Sequence, residues 1–310
     1  LNPTQFGGGV SVTFSQGSIY VPGTPIAITV RVAEPGQQRF GFQMTARLES
    51  APTTVAGRFV FENTAGVHVL CPDPNDSAGI PRGVNGNCPG VEYIEHSNAS
   101  PSGTWTFSWT PPATATGPVA FYIAGNAANG NGARDGGDHI YTTKYVLKPA
   151  SPCVTAVPAI TQIISAGSFG ARTDFAPGSW IEIYGSNFST AASPILWEGP
   201  DFNGSNAPTS VDRVSVKVNG KDAYTWVVTP GQVNAQAPDN DGTGPLNVIV
   251  TNCDQTSAPK AITQLRSAPG MWAPPTFKSG SNQLLGATTT DGTTFIGNIA
   301  GLNSRPARPG

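Results

Sequence analysis

The chain is poor in charge and in reactive side chains. Lysine and arginine number 17, aspartate and glutamate 19, histidine 3 and methionine 2 in 310 residues. The formal net charge is −2, so the basic footprint that nucleic acid or an anionic membrane requires is missing. No apolar run reaches the roughly 18 residues of a membrane-spanning helix, and no charged n-region with an apolar core opens the chain at Leu1. There is no C-x-x-C, no Gly-x-Ser-x-Gly elbow and no H-E-x-x-H, which removes the sequence signatures of thiol redox, α/β-hydrolase and zinc-protease chemistry.

Turn-forming residues are plentiful. Glycine (37) and proline (29) make up about a fifth of the chain, while 38% hydrophobic content in short β-branched runs argues against disorder. Runs such as Ile26-Ala-Ile-Thr-Val-Arg-Val-Ala33, Trp105-Thr-Phe-Ser-Trp109, Val214-Ser-Val-Lys-Val218 and Leu246-Asn-Val-Ile-Val250 alternate with period two and close on Gly, Pro, Asn or Asp. That pattern predicts an all-β protein. The length suits two immunoglobulin-like β-sandwich domains in tandem.

The expected organisation is an extended N-terminal arm (1–9), a first sandwich (10–148), a stiff Pro-rich linker (149–158), a second sandwich (159–270) and a tail (271–310). Residues 62–101 and the stretch from Gly125 to Asp138 read as loops. In the tail, Asn303-Ser-Arg-Pro-Ala-Arg-Pro-Gly310 loosely echoes Thr173-Asp-Phe-Ala-Pro-Gly178. The tail therefore reads as an incomplete C-terminal repeat, with a chance match of turn-rich sequence as the plain alternative.

Four cysteines form an even set. The expected pairs are Cys71–Cys88 and Cys153–Cys253, closing loops of about 16 and about 100 residues, worth roughly 3 and 4.7 kcal/mol on the chain-entropy relation. The alternative is buried thiols. Disulfides place the chain outside the cytoplasm, as an exported protein whose signal has been removed.

Candidate chemistry is thin. His68, His96 and His139 are too widely spaced for a ligand motif. Asp73 and Asp76, and separately Asp239 and Asp241, offer the oxygen ligands that calcium prefers, without the spacing of an EF-hand; the same residues are ordinary turn formers. The expectation is therefore no cofactor, with calcium at the acidic turns and a zinc or copper site shared by the three histidines as the alternatives that metal analysis tests. Trp105, Phe107 and Trp109 share a strand face, which reads first as core and second as a ligand-facing platform. Trp197, in Ile195-Leu-Trp-Glu-Gly-Pro200, is the tryptophan expected to be most exposed. Asn75, Asn98, Asn187 and Asn203 begin short glycosylation-type motifs.

Two resemblances add to this. Gly41-Phe-Gln-Met-Thr-Ala46, Trp105 to Trp109, Val119-Ala-Phe-Tyr-Ile-Ala-Gly-Asn-Ala-Ala-Asn-Gly-Asn-Gly132 and Gly137-Asp-His-Ile-Tyr-Thr142 resemble the reeler-type β-sandwich, over residues 10–148. The segments Ala176-Pro-Gly178, Ile181 to Phe188, Val214 to Gly220, Pro230-Gly-Gln-Val-Asn-Ala-Gln-Ala-Pro238 and Ala268-Pro-Gly-Met-Trp272 resemble a TIG/IPT-like C-terminal domain common in secreted acidobacterial proteins. Both resemblances imply extracellular modules without catalysis. The expected function is a secreted, non-enzymatic surface or structural protein, acting in adhesion or as a subunit of an extracellular assembly. A filament could form by strand exchange, with Leu1 and Phe6 on the donating arm and other copies of the chain or cell-surface components as partners. The alternative is a carbohydrate-binding module, with Trp109 and Trp197 facing glycans.

Overall fold

The computed structural model describes residues 6–62, 65–73, 76–83, 86, 88–168, 172–268, 278–283, 286–288, 292–297, 299 and 301–306. Its described residues are strands, turns and two short 3-10 turns, at Ala166–Ser168 and Gly199–Asp201. The chain divides into two compact units, Leu1–Ala150 with Glu198–Asn206, and Ser151–Trp197 with Ala207–Gly310.

The first unit is a sandwich of twelve strands. They are β1 (Gly9–Phe14), β2 (Ile19–Tyr20), β3 (Ile26–Ala33), β4 (Arg39–Leu48), β5 (Ala51–Val55) and β6 (Arg58–Val60), followed by β7 (Val67–Asp73), β8 (Asp76–Arg82), β9 (Tyr93–His96), β10 (Thr104–Thr110), β11 (Val119–Ala128) and β12 (His139–Pro149). One sheet runs β1-β3-β10-β6; the other runs β2-β12-β11-β4-β9-β7-β8, with β5 added beside β4. Alternation decides which side chains meet between the sheets. Ile26, Ile28, Val30 and Val32 of β3 pack with Trp105, Phe107 and Trp109 of β10 and with Phe42, Met44, Phe121 and Ile123 of the facing sheet. Each such burial contributes about 1.5–3 kcal/mol, opposed by the entropy of ordering the chain.

Two expected loops contain strand. Within 62–101, Val67, Val69 and Cys71 alternate inward, and β7, β8 and β9 extend the large sheet; Pro72, Pro81 and the glycines hide this period in the sequence. Gly125 to Ala128 continue β11 in register with β4 and β12. Gly125 is needed there because a Cβ would come within 2.8 Å of Val32 Cγ2 and 3.0 Å of Val10 Cβ. The 71–88 loop is closed by the Cys71–Cys88 disulfide. From within it, buried Arg82 pairs with buried Glu92 at 3.2 Å (Nε to Oε2). Together they bracket Phe59 of β6: its N–H donates to Glu92 Oε1 at 2.6 Å, and its carbonyl accepts from Arg82 Nη2 at 2.7 Å.

The second unit is also a sandwich. Its strands are β13 (Ala159–Ser165), β14 (Asp174–Phe175), β15 (Trp180–Ser186), β16 (Ile195–Leu196), β17 (Ser210–Val211) and β18 (Val214–Val218), then β19 (Lys221–Asp222), β20 (Tyr224–Val228), β21 (Gln232–Gln236), β22 (Gly244–Asn252), β23 (Gln255–Thr256) and β24 (Lys260–Gln264). The sheets run β13-β15-β21-β20-β16 and β14-β24-β22-β18-β17. Ile181, Ile183, Val216, Val218, Val233, Val248 and Val250 fill the space between them around Phe175 and Phe188. Cys153 bonds to Cys253, and Val154 N–H donates to Asn252 Oδ1 at 3.2 Å, so the end of the Pro-rich 149–158 stretch is tied to this sandwich.

In the tail, β25 (Lys278–Ser279) pairs with β26 (Asn282–Gln283), and β27 (Phe295–Ile296) pairs in parallel with β28 (Ser304–Arg305). The echoed segment Asp174–Phe175 is likewise a two-residue strand in a parallel pair, with Thr263–Gln264 of β24. The end of the echo, 307–310, lies outside the described residues, as do Leu1, Asn75 and Trp272.

Candidate functional site

The expected ligand-facing role of Trp109 is corrected by its position. Trp109 is fully buried, its Nε1 donates to Ala56 O at 2.9 Å, and it meets Tyr20 and Phe121 edge-on at 5.8 and 4.9 Å. The period-two face that it shares with Trp105 and Phe107 is the core face.

The three histidines have separate partners. His68 Nε2 pairs with Glu95 Oε1 at 3.1 Å, His96 Nδ1 lies 3.1 Å from Phe42 N, and His139 Nδ1 lies 2.7 Å from Glu34 Oε1. Among the described residues, no three His, Cys, Asp or Glu side chains are grouped to hold a metal. Of the acidic turn residues, Asp73 and Asp76 are backbone register partners in the β7–β8 pair. Asp239 gives its backbone carbonyl to Lys221 Nζ at 2.7 Å, and Asp241 is exposed in the turn before Gly242.

Phe6 is held by its own sandwich. Its ring stacks on His139, which is fixed by Glu34; the other Glu34 oxygen accepts from Tyr141 Oη at 2.7 Å. Burial pushes the Glu34 carboxyl up, but the hydrogen bonds from Tyr141 and His139 and the nearby His139 charge together hold it below the usual carboxylate range. Burial and the Glu34 bond push Tyr141 up to about 12. Gly8 threads this corner because a Cβ would sit 2.7 Å from both Glu34 Cβ and Tyr141 Oη. Among the described residues, no hydroxyl or thiol nucleophile bonds to His139, so the Glu–His pair anchors the arm and assembles no nucleophile–base set.

Each sandwich carries a concavity against a sheet face. In the first sandwich, a groove of about 520 Å³ is lined by Thr45, Arg47, Tyr93, Tyr122 and Lys144 among others. Thr45, Tyr122 and Lys144 lie side by side in register on β4, β11 and β12. Arg47 donates to Tyr93 Oη at 2.7 Å, and Lys144 pairs with Glu49 at 2.9 Å. In the second sandwich, a hollow of about 290 Å³ is lined by Ala166, Gly167, Trp180, Glu182, Trp226 and Asn234. Trp226 is 37% exposed, whereas Trp197, expected to be the most exposed tryptophan, is half-buried. The rings of Trp180, Trp197 and Trp226 stand 5.4–6.1 Å apart. Sequence reasoning passed over Trp180 and Trp226. The alternation Trp180-Ile-Glu-Ile-Tyr184 puts Trp180, Glu182 and Tyr184 on one outward face and could have revealed the first. Tyr224-Thr225-Trp226 alternates likewise and could have revealed the second, before a β-bulge breaks the period at Val227.

Residues 167–264 match the IPT/TIG domain family. Among solved structures, the chain is similar to the crystal structure of the human F-spondin reeler domain (fragment 1), at 19% identity and a TM-score of 0.26, over 45% of this chain and 79% of that one. No curated protein matches. The second sandwich therefore carries an IPT/TIG domain, spanning residues 167–264.

Proposed function

We propose that this is a secreted, non-enzymatic surface protein, acting in adhesion or as a structural subunit of an extracellular assembly. The observation that carries the reading is the pairing of two disulfide-braced sandwiches, one of them an IPT/TIG domain, with aromatic residues on solvent-facing sheet surfaces. Both disulfides suit an oxidising compartment. Each buried Glu, Arg or His described above has a structural partner, which supports a role in binding rather than in turnover.

The sharper form is self-assembly by strand exchange. The 1–9 arm and the tail beyond residue 270 are the donating segments, and open sheet edges on a neighbouring copy are the acceptors. Contacts of that head-to-tail kind need not close and so propagate. Docking of Phe6 on His139 gives the arm a resting place within its own chain, from which exchange would release it. Electron microscopy and sizing chromatography of the intact purified protein test this form. Polymers that disappear on removal of residues 1–9 or 273–310 support it; an intact protein that is monomeric at all concentrations overturns it.

A further inference from the structure

The tryptophans of the second sandwich are placed at a cost. Trp180 and Trp226 lie outside the buried core cluster, on the outer face of the β15-β21-β20 ladder. Trp226 sits where β20 has one residue too many. Thr225 pairs with Ala235 and Val227 with Asn234, so Trp226 is the inserted residue of a bulge. The ring of Trp226 stands 5.4 Å from that of Trp180, and Trp197 is fixed alongside by its N–H bond to Trp226 O at 3.2 Å. Trp226 and, on the same strand, Tyr224 are exposed, while Trp180 and Trp197 are half-buried, Trp197 packing partly on the core. A partly exposed aromatic cluster of this kind marks a contact surface.

The polar groups within the patch narrow what it contacts. Glu182 and Asn234 stand opposite each other in register between the aromatic positions. Tyr184 Oη donates to Glu182 Oε2 at 2.6 Å. This bond and burial push the Tyr184 phenol up to about 12, so it stays a donor and orients the carboxylate. Glu182 lines the hollow, and its Oε1, with no partner among the described residues, is available as an acceptor. Asn234 Oδ1 accepts from Gln232 Nε2 at 2.8 Å, which leaves its amide N–H groups to donate. No cation is among the described lining residues, and a carboxylate is. An anionic ligand is thereby disfavoured. A protein interface core is depleted of glutamate, whereas here Glu182 sits at the centre. Ring faces beside fixed donors and acceptors, in a shallow hollow, match the flat C–H faces and hydroxyl rims of pyranose rings.

We infer that this face is a binding platform for a neutral saccharide, with Trp180 and Trp226 stacking on sugar rings and Glu182 and Asn234 bonding their hydroxyls. The inference gives the adhesion reading a ligand class and rests on that reading only for its biological setting.

The test is an array of neutral oligosaccharides (glucan, mannan, xylan and galactan fragments) with polygalacturonate fragments as the anionic set. Hits are titrated against the intact protein by tryptophan fluorescence. Binding of a neutral fragment is expected to weaken at least ~10-fold in Trp226→Ala. Trp226→Phe is expected to retain part of it, and Tyr93→Ala on the first sandwich all of it, with the melting temperature of each variant checked for an intact fold. Retention of anionic fragments alone, or of none, by the folded wild type overturns the inference. So does a Trp226→Ala variant that loses self-association in a protein that binds no saccharide, since the face is then a protein contact. A polymer that ignores every saccharide overturns this inference and leaves the assembly reading standing; a monomer that binds one does the reverse.

Discussion

The ring of Phe6 lies flat on that of His139, with centroids 3.8 Å apart and planes 9° from parallel. That contact pins the start of the chain immediately before β1, at a residue whose ring is still partly in water. His139→Ala removes the surface on which Phe6 rests and leaves the β1–β3 pairing intact. Amide exchange at residues 7–9 is expected to quicken, while the core strands β3 and β11 keep their protection. Unchanged exchange at 7–9 would show that the stack does not hold the arm.

Glu34 makes the same corner sensitive to acid. Its folded carboxyl lies below the usual range, so the unfolded state takes up its proton first as pH falls. The stabilisation is complete above the unfolded value of roughly 4.3 and is lost as pH drops through the lower folded one. Glu34→Gln is expected to cost about 1.5–3 kcal/mol at neutral pH, the worth of buried bonds to a charged group. Urea midpoints of the two proteins should converge toward pH 3. A constant gap from pH 7 to pH 3 would show that the Glu34 charge contributes nothing.

Arg82, within the Cys71–Cys88 loop, forms a buried ion pair with Glu92. Burial pushes Glu92 up against the opposing Phe59 N–H bond and the charges of Arg82 and Arg58. Arg82→Met leaves that carboxylate buried without its main cation, at an expected cost of about 3–5 kcal/mol. A raised carboxyl favours the folded state at low pH and loses that contribution as pH rises through its folded value. The deficit of Arg82→Met should therefore be larger at pH 7 than at pH 4. Adding Glu92→Leu should restore part of the loss in denaturant unfolding. A double variant no more stable than the single one would count against this account.

Each disulfide braces one unit. Cys153→Ser with Cys253→Ser releases a separation of 100 residues and is expected to cost up to about 4.7 kcal/mol; Cys71→Ser with Cys88→Ser is expected to cost about 3 kcal/mol. Calorimetry should show the first pair lowering the transition of the IPT/TIG-containing unit and the second pair lowering that of the N-terminal sandwich. A single transition lowered equally by either pair would show that the two units unfold as one.

The β-class, the two sandwiches and the cysteine partners were legible because each leaves a local mark: period-two alternation in Ile26 to Ala33, turn residues at strand ends, and an even cysteine set. β7 to β9 were not, because prolines and glycines interrupt the alternation and pairing across the sheet, rather than local propensity, makes those strands. The surface was least legible. Trp109 and Trp226 each sit in an alternating run, and only the opposing sheet decides that one is buried. Trp226 keeps the outward alternation of Tyr224 and Thr225, and a bulge then shifts the register at Val227. The partners of Glu34 are 105 and 107 residues away in sequence, a juxtaposition that spacing cannot show.

The central claim is an exported, disulfide-braced surface protein. The measurement that tests it most directly is alkylation of intact source cells with a membrane-impermeant thiol reagent, followed by fractionation and mass spectrometry of this chain. The account predicts the chain at the cell surface or in the medium, with all four cysteines unlabelled and linked as Cys71–Cys88 and Cys153–Cys253. Recovery from the cytoplasm with four free thiols would contradict it.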